Sequence, residues 1–177
     1  MNRISKLLLT VAACAICAAP LAAQELTGTL KKIKDTGVVK IGHREASSPF
    51  SYQDDKQQVV GYGTDICLKI VDAIKAQLKM PKLKVEFVPV TSQTRIPILT
   101  GGNIDMECGS TTNSVERQKQ VAFAPTYFMT GTKIIVKKSS GIKGYDGLKG
   151  KTVVFTAGTT NERAMKAYND EKKLGIN

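Results

Sequence analysis

Apolar strands alternate with amphipathic helices along this chain. The patterns predict buried strands at Val38–His43, 104–108 and 151–156 and a strand of alternating apolar and charged residues at 83–90, with helical patterns between them. Chains that alternate in this way form open sheets whose strands are covered by helices. The sequence therefore predicts the α/β fold class.

Small polar residues and glycines mark where the predicted helices begin and end. Thr64 and Asp65 are placed to cap a long helix, and Thr91 and Ser92 are placed to open a shorter one that ends at Gly101. The apolar residues of the long helix recur at four-residue spacing: Ile66, Ile70, Ile74 and Leu78.

The first 23 residues have the pattern of an export signal. Arg3 and Lys6 precede an uncharged apolar run over 7–23, which ends in small residues. This pattern predicts a secretory signal peptide cleaved after Ala23, since the run is short for a membrane span and contains a proline. A lipoprotein leader that modifies Cys14 is the alternative to a soluble mature protein.

The chain is strongly basic, with a formal net charge of +11. Such a charge raises nucleic acid and anionic membranes as partners. The lysines are dispersed singly and in pairs, without interleaved aromatic residues, and export separates the protein from nucleic acid. We therefore expect no nucleic acid partner and attribute the charge to solubility and to a field that favours small anions.

Two cysteines, Cys67 and Cys108, follow the predicted signal peptide. An exported protein can form disulfides. Cys67 lies on a predicted helix and Cys108 at the end of a predicted buried strand, so a bond between them would join helix to sheet. The sequence favours this disulfide, and two small buried free cysteines are the alternative.

Two strand-to-helix junctions carry similar polar sequences. Residues 109–117 read GSTTNSVER and residues 157–163 read AGTTNER. The pairs at capping-box spacing are Asn113 with Glu116 and Thr159 with Glu162. Free N–H groups, hydroxyls and a guanidinium at a helix start suit a carboxylate or phosphate. An ordinary helix cap with a surface arginine is the alternative.

Five segments between Val38 and Glu162 form a specific combination. They are VVKIGHRE with PFSY, VVGYGTDIC, TSQTRIP, ECGSTTNSVERQKQVAF and LKGKTVVFTAGTTNE. Together they resemble the periplasmic solute-binding proteins of polar amino acid ABC transporters, and TSQTRIP followed by ECGSTTN is similar to the glutamate/aspartate branch. The resemblance implies a monomeric periplasmic receptor that delivers glutamate or aspartate to an ABC transporter permease in the inner membrane.

The resemblance implies a type II fold in which two α/β lobes are joined by crossing strands. Lobe one would span 24–126, the hinge crossing 127–132 and the start of lobe two 133–177. We expect the sequence to stop within the second lobe, before the aspartate with which relatives bind the ligand's ammonium group.

The resemblance also implies two groups of ligand-binding residues. The α-carboxylate would contact Ser110, Thr112, Arg117 and, from the second lobe, Thr160. The side-chain carboxylate would contact Arg44, Ser92 and Arg95. A guanidinium can bind a carboxylate through two parallel hydrogen bonds, which a lysine cannot do. For each arginine taken singly, a surface charge is the alternative.

Two other functions are compatible with the same fold. A cyclohexadienyl-type dehydratase would need a general acid in the cleft, and the carboxylates near the predicted site are Glu45, Glu107, Glu116 and Glu162. An extracellular amino acid sensor domain would need a membrane span downstream. The chain has one histidine, His43, and no P-loop, dinucleotide or nucleophile-elbow motif. We therefore predict no metal, no cofactor and no enzymatic activity.

Overall fold

The computed structural model describes residues 25–177, which contain six strands and five α-helices. The strands are β1 (Val38–His43), β2 (Ala46–Ser47), β3 (Ser51–Gln53), β4 (Val59–Val60), β5 (Lys84–Pro89) and β6 (Met106–Cys108). The helices are α1 (Gly28–Thr36), α2 (Tyr62–Leu78), α3 (Arg95–Thr100), α4 (Val115–Gln118) and α5 (Thr160–Lys172). The predicted signal peptide lies outside the described residues.

The central sheet is parallel, with strand order β5–β1–β6. His43 at the end of β1 lies opposite both Pro89 of β5 and Cys108 of β6. The strand predictions for these three segments are confirmed. Because parallel strands point the same way, their carboxyl ends meet at one edge of the sheet, where the following loops converge.

The segment between β1 and α2 contains a small antiparallel sheet. Strand β3 lies between β2 and β4, and Tyr52 is opposite both Ala46 and Val60. The hydroxyl of Ser51, the first residue of β3, accepts a hydrogen bond from the backbone N–H of Arg44 at 3.0 Å. The small sheet therefore fixes the backbone directly after β1.

Helix α2 begins before the residues predicted to cap it. Gly61 is its N-cap, and the N–H of Asp65 already donates to the Gly61 carbonyl within the helix. Gly61 has φ of 129°, and a Cβ there would stand 2.6 Å from the Phe50 carbonyl oxygen. The prediction that Thr64 and Asp65 cap α2 is wrong, because only glycine fits this junction without strain.

The core lies between the central sheet and helices α1 and α2. Its buried members include Ile33, Val39, Ile41, Val71 and Leu83. The predicted disulfide between Cys67 of α2 and Cys108 of β6 is present, with the two Cα atoms 6.2 Å apart. Helix α2 is thus covalently attached to the sheet edge where the strands end.

Helix α3 begins one turn later than the sequence predicts. Thr91 and Thr94 form a reciprocal turn, in which each backbone N–H donates to the other's hydroxyl at 3.0 and 3.1 Å. This turn carries Ser92, which is buried, and α3 then begins at Arg95. The predicted end at Gly101 is confirmed, since Gly101 is the C-cap.

The strand predicted over 151–156 is absent. Its first half pairs with the end of the described chain, as Val153 N–H donates to the Asn177 carbonyl and Asn177 N–H to the Lys151 carbonyl. Val154 beyond this pairing is 90% exposed. An apolar pattern forms a strand only where a neighbouring segment bonds its backbone N–H and C=O groups. Within residues 25–177, only the first half of this segment has such a neighbour.

Helix α5 follows this segment, in a part of the chain that has its own buried apolar residues. Met165 of α5 is buried, as are Leu148 and Leu174. The predicted cap at Thr159 is confirmed, since its hydroxyl accepts from the Glu162 N–H at 3.1 Å. In the described part of the chain, no helix has the length and apolar character needed to cross a membrane.

Candidate functional site

The predicted site residues lie where the three parallel strands end. Arg44 follows β1, Ser92 follows β5 within three residues, and the loop after β6 leads to Arg117 on α4. Loops that follow neighbouring parallel strands share one sheet edge, which is where open α/β sheets bind ligands. The structure therefore places the site residues predicted for lobe one at the same edge of the sheet.

Arg44 and Ser92 are in direct contact. Nη1 of Arg44 donates to Oγ of Ser92 at 2.9 Å. Ser92 is buried and Arg44 is half-buried, so the guanidinium bridges the loops that follow β1 and β5. The pair offers a charged donor group at the rim of the site.

Arg95 is the most deeply buried arginine of the group, with its side chain 3% exposed. Its Nη1 lies 3.9 Å from a carboxylate oxygen of Glu107. Within residues 25–177, Nε and Nη1 of Arg95 are buried without a hydrogen-bond partner. Buried guanidinium donors are normally paired, so this residue has unused capacity to bind an anion.

Burial lowers the pKa of Arg95 to about 10. The positive charges of Arg117 and Arg44 act in the same direction, and the charge of Glu107 opposes them. Arg95 remains charged at neutral pH, because a pKa of about 10 lies well above 7. The three arginines thus act as one electrostatic group that a bound anion would stabilise.

Glu107 lies in the middle of β6 with its side chain 9% exposed. The Thr111 hydroxyl donates to its Oε2 at 2.6 Å, while Oε1 has no partner among the described residues. Burial raises the pKa of this carboxyl, against the Thr111 hydrogen bond and the arginine charges, which lower it. Glu107 is predicted from the sequence only as one of four candidate general acids and not as a ligand-binding residue. The sequence signal that could have identified Glu107 is its position as an acidic residue between the apolar Met106 and Cys108 of a predicted strand.

Arg117 is 4% exposed and lies at the junction of the two predicted lobes. Its Nη1 donates to the Thr112 carbonyl at 3.0 Å, and its Nη2 donates to the Gly158 carbonyl at 3.2 Å. Burial lowers the pKa of Arg117, and the positive charge of Arg163 acts in the same direction. The guanidinium is therefore held in place by backbone oxygens on both sides.

The cap of α4 differs from the prediction. Ser114 is the N-cap, and its hydroxyl accepts from the Arg117 N–H at 3.4 Å. The predicted capping box of Asn113 with Glu116 is wrong, because Asn113 lies one residue before the cap and its side chain accepts from the Gln118 amide instead. Glu116 is exposed and pairs with Arg163 at 2.9 Å.

Thr112 and Thr160 are in contact across the same junction. Their hydroxyl oxygens are 3.2 Å apart, with Thr160 in the first turn of α5. Ser110 is exposed in the loop after β6. These hydroxyls and the Arg117 guanidinium form a second group of donors, which shares no hydrogen bond with the Arg44, Ser92 and Arg95 group among the described residues.

Aromatic side chains lie beside the site without entering either donor group. Phe50 packs against Tyr127 and Phe128, with ring centroids 6.3 and 4.9 Å apart. The Tyr127 hydroxyl donates to the Gly109 carbonyl. Phe50 thus packs the β2–β3 loop onto the segment predicted as the hinge.

The described residues contain no cluster of three histidine, cysteine or acidic side chains able to hold a metal ion. His43 is buried at the end of β1 and packs edge-on against Phe87. Its Nδ1 lies 3.2 Å from the Arg44 carbonyl oxygen. This histidine supports the backbone at the start of the site.

The fold corresponds to a known class of proteins. Residues 39–174 match the model of the bacterial extracellular solute-binding proteins, family 3, and the chain belongs to this family. Membership gives the protein an extracytoplasmic location. The architecture is that of a type II periplasmic amino-acid-binding protein.

Similar sequences include glutamate/aspartate-binding proteins. The chain is 54% identical to the L-glutamate/L-aspartate-binding protein of Pseudomonas aeruginosa over 172 residues, which cover 97% of this chain and 57% of the relative. It is 50% identical to the glutamate/aspartate import solute-binding protein of Escherichia coli over 155 residues, which cover 88% of this chain and 51% of the relative. The chain thus spans between half and three fifths of the length of these relatives, which are binding proteins and not enzymes.

Solved structures with similar folds include proteins named as amino acid-binding proteins or amino acid receptors. An ancestral amino acid-binding protein, a precursor of cyclohexadienyl dehydratase, superposes with a TM-score of 0.72 at 31% identity, covering 85% of this chain and 64% of that one. A solute receptor for L-cysteine from Neisseria gonorrhoeae superposes with a TM-score of 0.72 at 26% identity, covering 85% of this chain and 58% of that one.

Proposed function

We propose that this protein is a periplasmic receptor that captures glutamate or aspartate and delivers it to the permease of an ABC transporter. Its export would be directed by residues 1–23, and it would act as a monomer. Two donor groups at one sheet edge match the two carboxylates of an acidic amino acid. The names of the relatives at 50% and 54% identity support the ligand class.

The observation that carries this proposal is the buried Arg95, whose Nε and Nη1 have no partner within residues 25–177. Desolvated guanidinium donors are costly unless an anion binds to them. Arg44 and Ser92 are in mutual contact at the same edge, so the three residues could receive the ligand's side-chain carboxylate together. An amide side chain would add no negative charge here, and the two positive charges of Arg44 and Arg95 exceed the one negative charge of Glu107.

The α-carboxylate would bind at the second donor group. A guanidinium has five N–H donors, and the bonds to Thr112 and Gly158 use two of those on Arg117. The remaining donors, with the hydroxyls of Ser110, Thr112 and Thr160, could hold a carboxylate that every amino acid carries. This group would supply affinity, whereas Arg44, Ser92 and Arg95 would supply selectivity.

Ligand capture would proceed by closure of two lobes, 24–126 and the one that begins at 133, about a hinge at 127–132. The contacts that would stabilise the closed state are Thr112 with Thr160, Arg117 with Gly158, and Glu116 with Arg163. A ligand that contacts both sides shifts the population towards closure by its differential affinity for the two states.

A binding function is favoured over a dehydratase. Of the acids near the site, Glu116 is exposed in an ion pair and Glu162 accepts from the Gly158 N–H. Glu107 has a raised pKa, but it is bonded to Thr111 and lies beside Arg95, where it is 9% exposed. A general acid must give its proton to the leaving group of the substrate, whereas Glu107 faces the arginines that would bind a carboxylate.

Isothermal titration calorimetry of the full-length protein against the common amino acids tests the proposal. We expect binding of glutamate or aspartate with at least roughly 100-fold preference over glutamine, since recognition of a buried charge pair discriminates by several kcal/mol. Preference for a neutral or basic amino acid would refute it. Light scattering during the same preparation tests the expected monomer.

A further inference from the structure

Glu107 lies among the arginines of the candidate site, but it makes none of the ligand contacts proposed above. Its strand β6 is attached to α2 through the disulfide at Cys108, and its Oε2 is bonded to Thr111. A Cβ on Gly109 would lie 2.6 Å from its Oε1 and 3.0 Å from Cγ of Arg44. The carboxylate is therefore packed tightly among Arg44, Arg95 and the glycine backbone.

The contact between Glu107 and Arg95 is close enough for charge pairing but is not a hydrogen bond. Nη1 and the carboxylate oxygen are 3.9 Å apart, whereas charge-assisted hydrogen bonds lie near 2.7–2.9 Å. Nε and Nη1 of Arg95 and Oε1 of Glu107 all lack partners within residues 25–177. Glu107 thus balances the charge of Arg95 and leaves its donors open.

We propose that Glu107 is a positioning residue that determines specificity: it acts as the internal counterion of Arg95 and competes with the side-chain carboxylate of the ligand. This inference rests on the proposed function, in which Arg95 binds that carboxylate. A glutamine ligand brings no second negative charge and does not compete with Glu107. The competition therefore lowers the preference of the site for acidic over amide side chains.

Several charged or titratable groups face Glu107 from the surrounding elements. Arg95 comes from α3, Arg44 follows β1, Arg117 comes from α4 and Tyr127 comes from the segment beyond α4. Thr111 is the hydrogen-bond donor from its own loop. The arginines favour the ionised carboxylate, and burial disfavours it.

An arriving ligand carboxylate adds a second negative charge beside Glu107. Like charges that share one site disfavour joint ionisation, so one carboxyl takes up a proton. Burial has already raised the pKa of Glu107, which makes it the group that accepts this proton. Binding of glutamate is then accompanied by proton uptake, and binding of glutamine is not.

The experiment compares the full-length wild type with the Glu107→Gln variant by titration calorimetry with glutamate and glutamine. The variant keeps the size of the side chain and can still accept from Thr111. We expect the preference for glutamate over glutamine to rise by roughly threefold to tenfold, the effect of removing one nearby like charge at protein-surface dielectric. Glu86→Gln is the matched control, because it removes the same charge from an exposed site on β5, 3.8 Å from Lys40.

Titration in buffers of different ionisation enthalpy supplies a readout that a purely structural role would not change. We expect net proton uptake with glutamate in the wild type and in Glu86→Gln, and none in Glu107→Gln. Thr111→Val provides a second test if Glu107→Gln does not fold. Loss of the Thr111 hydrogen bond favours the neutral carboxyl, so preference should rise in the same direction by a smaller factor.

An unchanged or lower preference in Glu107→Gln, or the same proton uptake as in the wild type, would overturn the inference. If the wild type binds glutamate selectively and Glu107→Gln behaves identically, only the role of Glu107 is refuted. A wild type that binds neither glutamate nor aspartate defeats the proposed function itself. The two failures are therefore distinguishable.

Discussion

Replacement of Arg95 by alanine should reduce the affinity for glutamate far more than the affinity for glutamine. The guanidinium is 3% exposed and has two unpaired donors, so a ligand carboxylate would form a buried charge pair with it. Truncating one partner of such a pair costs about 2–5 kcal/mol, which is roughly 30-fold to 4,000-fold in Kd. A neutral amide loses hydrogen bonds worth about 0.5–1.5 kcal/mol, or roughly 2-fold to 10-fold.

Titration calorimetry of the full-length protein with both ligands measures this difference. Arg163→Ala is the matched control, since Arg163 is half-exposed and paired with the exposed Glu116. A surface pair of this kind contributes about 0–1 kcal/mol and should affect both ligands alike. Thermal unfolding without ligand shows whether Arg95→Ala is folded. Equal losses for glutamate and glutamine in a folded variant would refute the assignment of Arg95 to the side-chain carboxylate.

Three further predictions concern other parts of the site. Arg117→Lys should weaken the binding of glutamate and of glutamine by the same factor, about 10-fold to 100-fold. Lysine lacks the forked donors that would bind a carboxylate and that bond the carbonyls of Thr112 and Gly158. Calorimetry with both ligands measures the two affinities, and a loss for one ligand alone would contradict the prediction. Replacing Cys67 and Cys108 together by serine should lower the free energy of unfolding by about 4 kcal/mol, given the sequence separation of 41; denaturant titration measures it, and an unchanged midpoint would exclude a stabilising bond. Burial raises the folded-state pKa of Glu107 above its ordinary value of 4.5, so the folded state binds a proton more tightly than the unfolded state does. The contribution of Glu107 to stability should therefore fall as pH rises from about 4.5 through the raised pKa. In ligand-free melting curves, the melting temperature of Glu107→Gln should decline less over this range than that of the wild type, and parallel curves would contradict the prediction.

Strand and helix patterns were sufficient to predict the strands of the central sheet. The strands around Ile41, Phe87 and Cys108 are read from short apolar or alternating runs, and such runs are buried wherever helices cover a sheet. Since the strands are parallel, the residues that follow each one must come together. The proximity of Arg44 to Ser92 follows from this topology.

Local junctions were predicted less well, because several residues could satisfy the same backbone groups. The sequence predicts caps at Asn113 for α4 and at Thr64 and Asp65 for α2, whereas the structure places these caps at Ser114 and Gly61. The strand over 151–156 failed for a related reason. Its apolar pattern is real, but a strand also needs neighbours along its length.

The sequence by itself determined the fold class, the disulfide pair and the set of arginines at the ends of strands. Only the tertiary structure decided which arginine is both buried and incompletely paired. Arg95 and Glu107 are 12 residues apart in sequence and lie on different elements, so no local pattern joins them. Their low exposure and their separation of 3.9 Å arise from packing between α3 and β6. Burial makes these two ordinary charges energetically significant, because desolvation strengthens their mutual interaction and would strengthen the binding of a further anion.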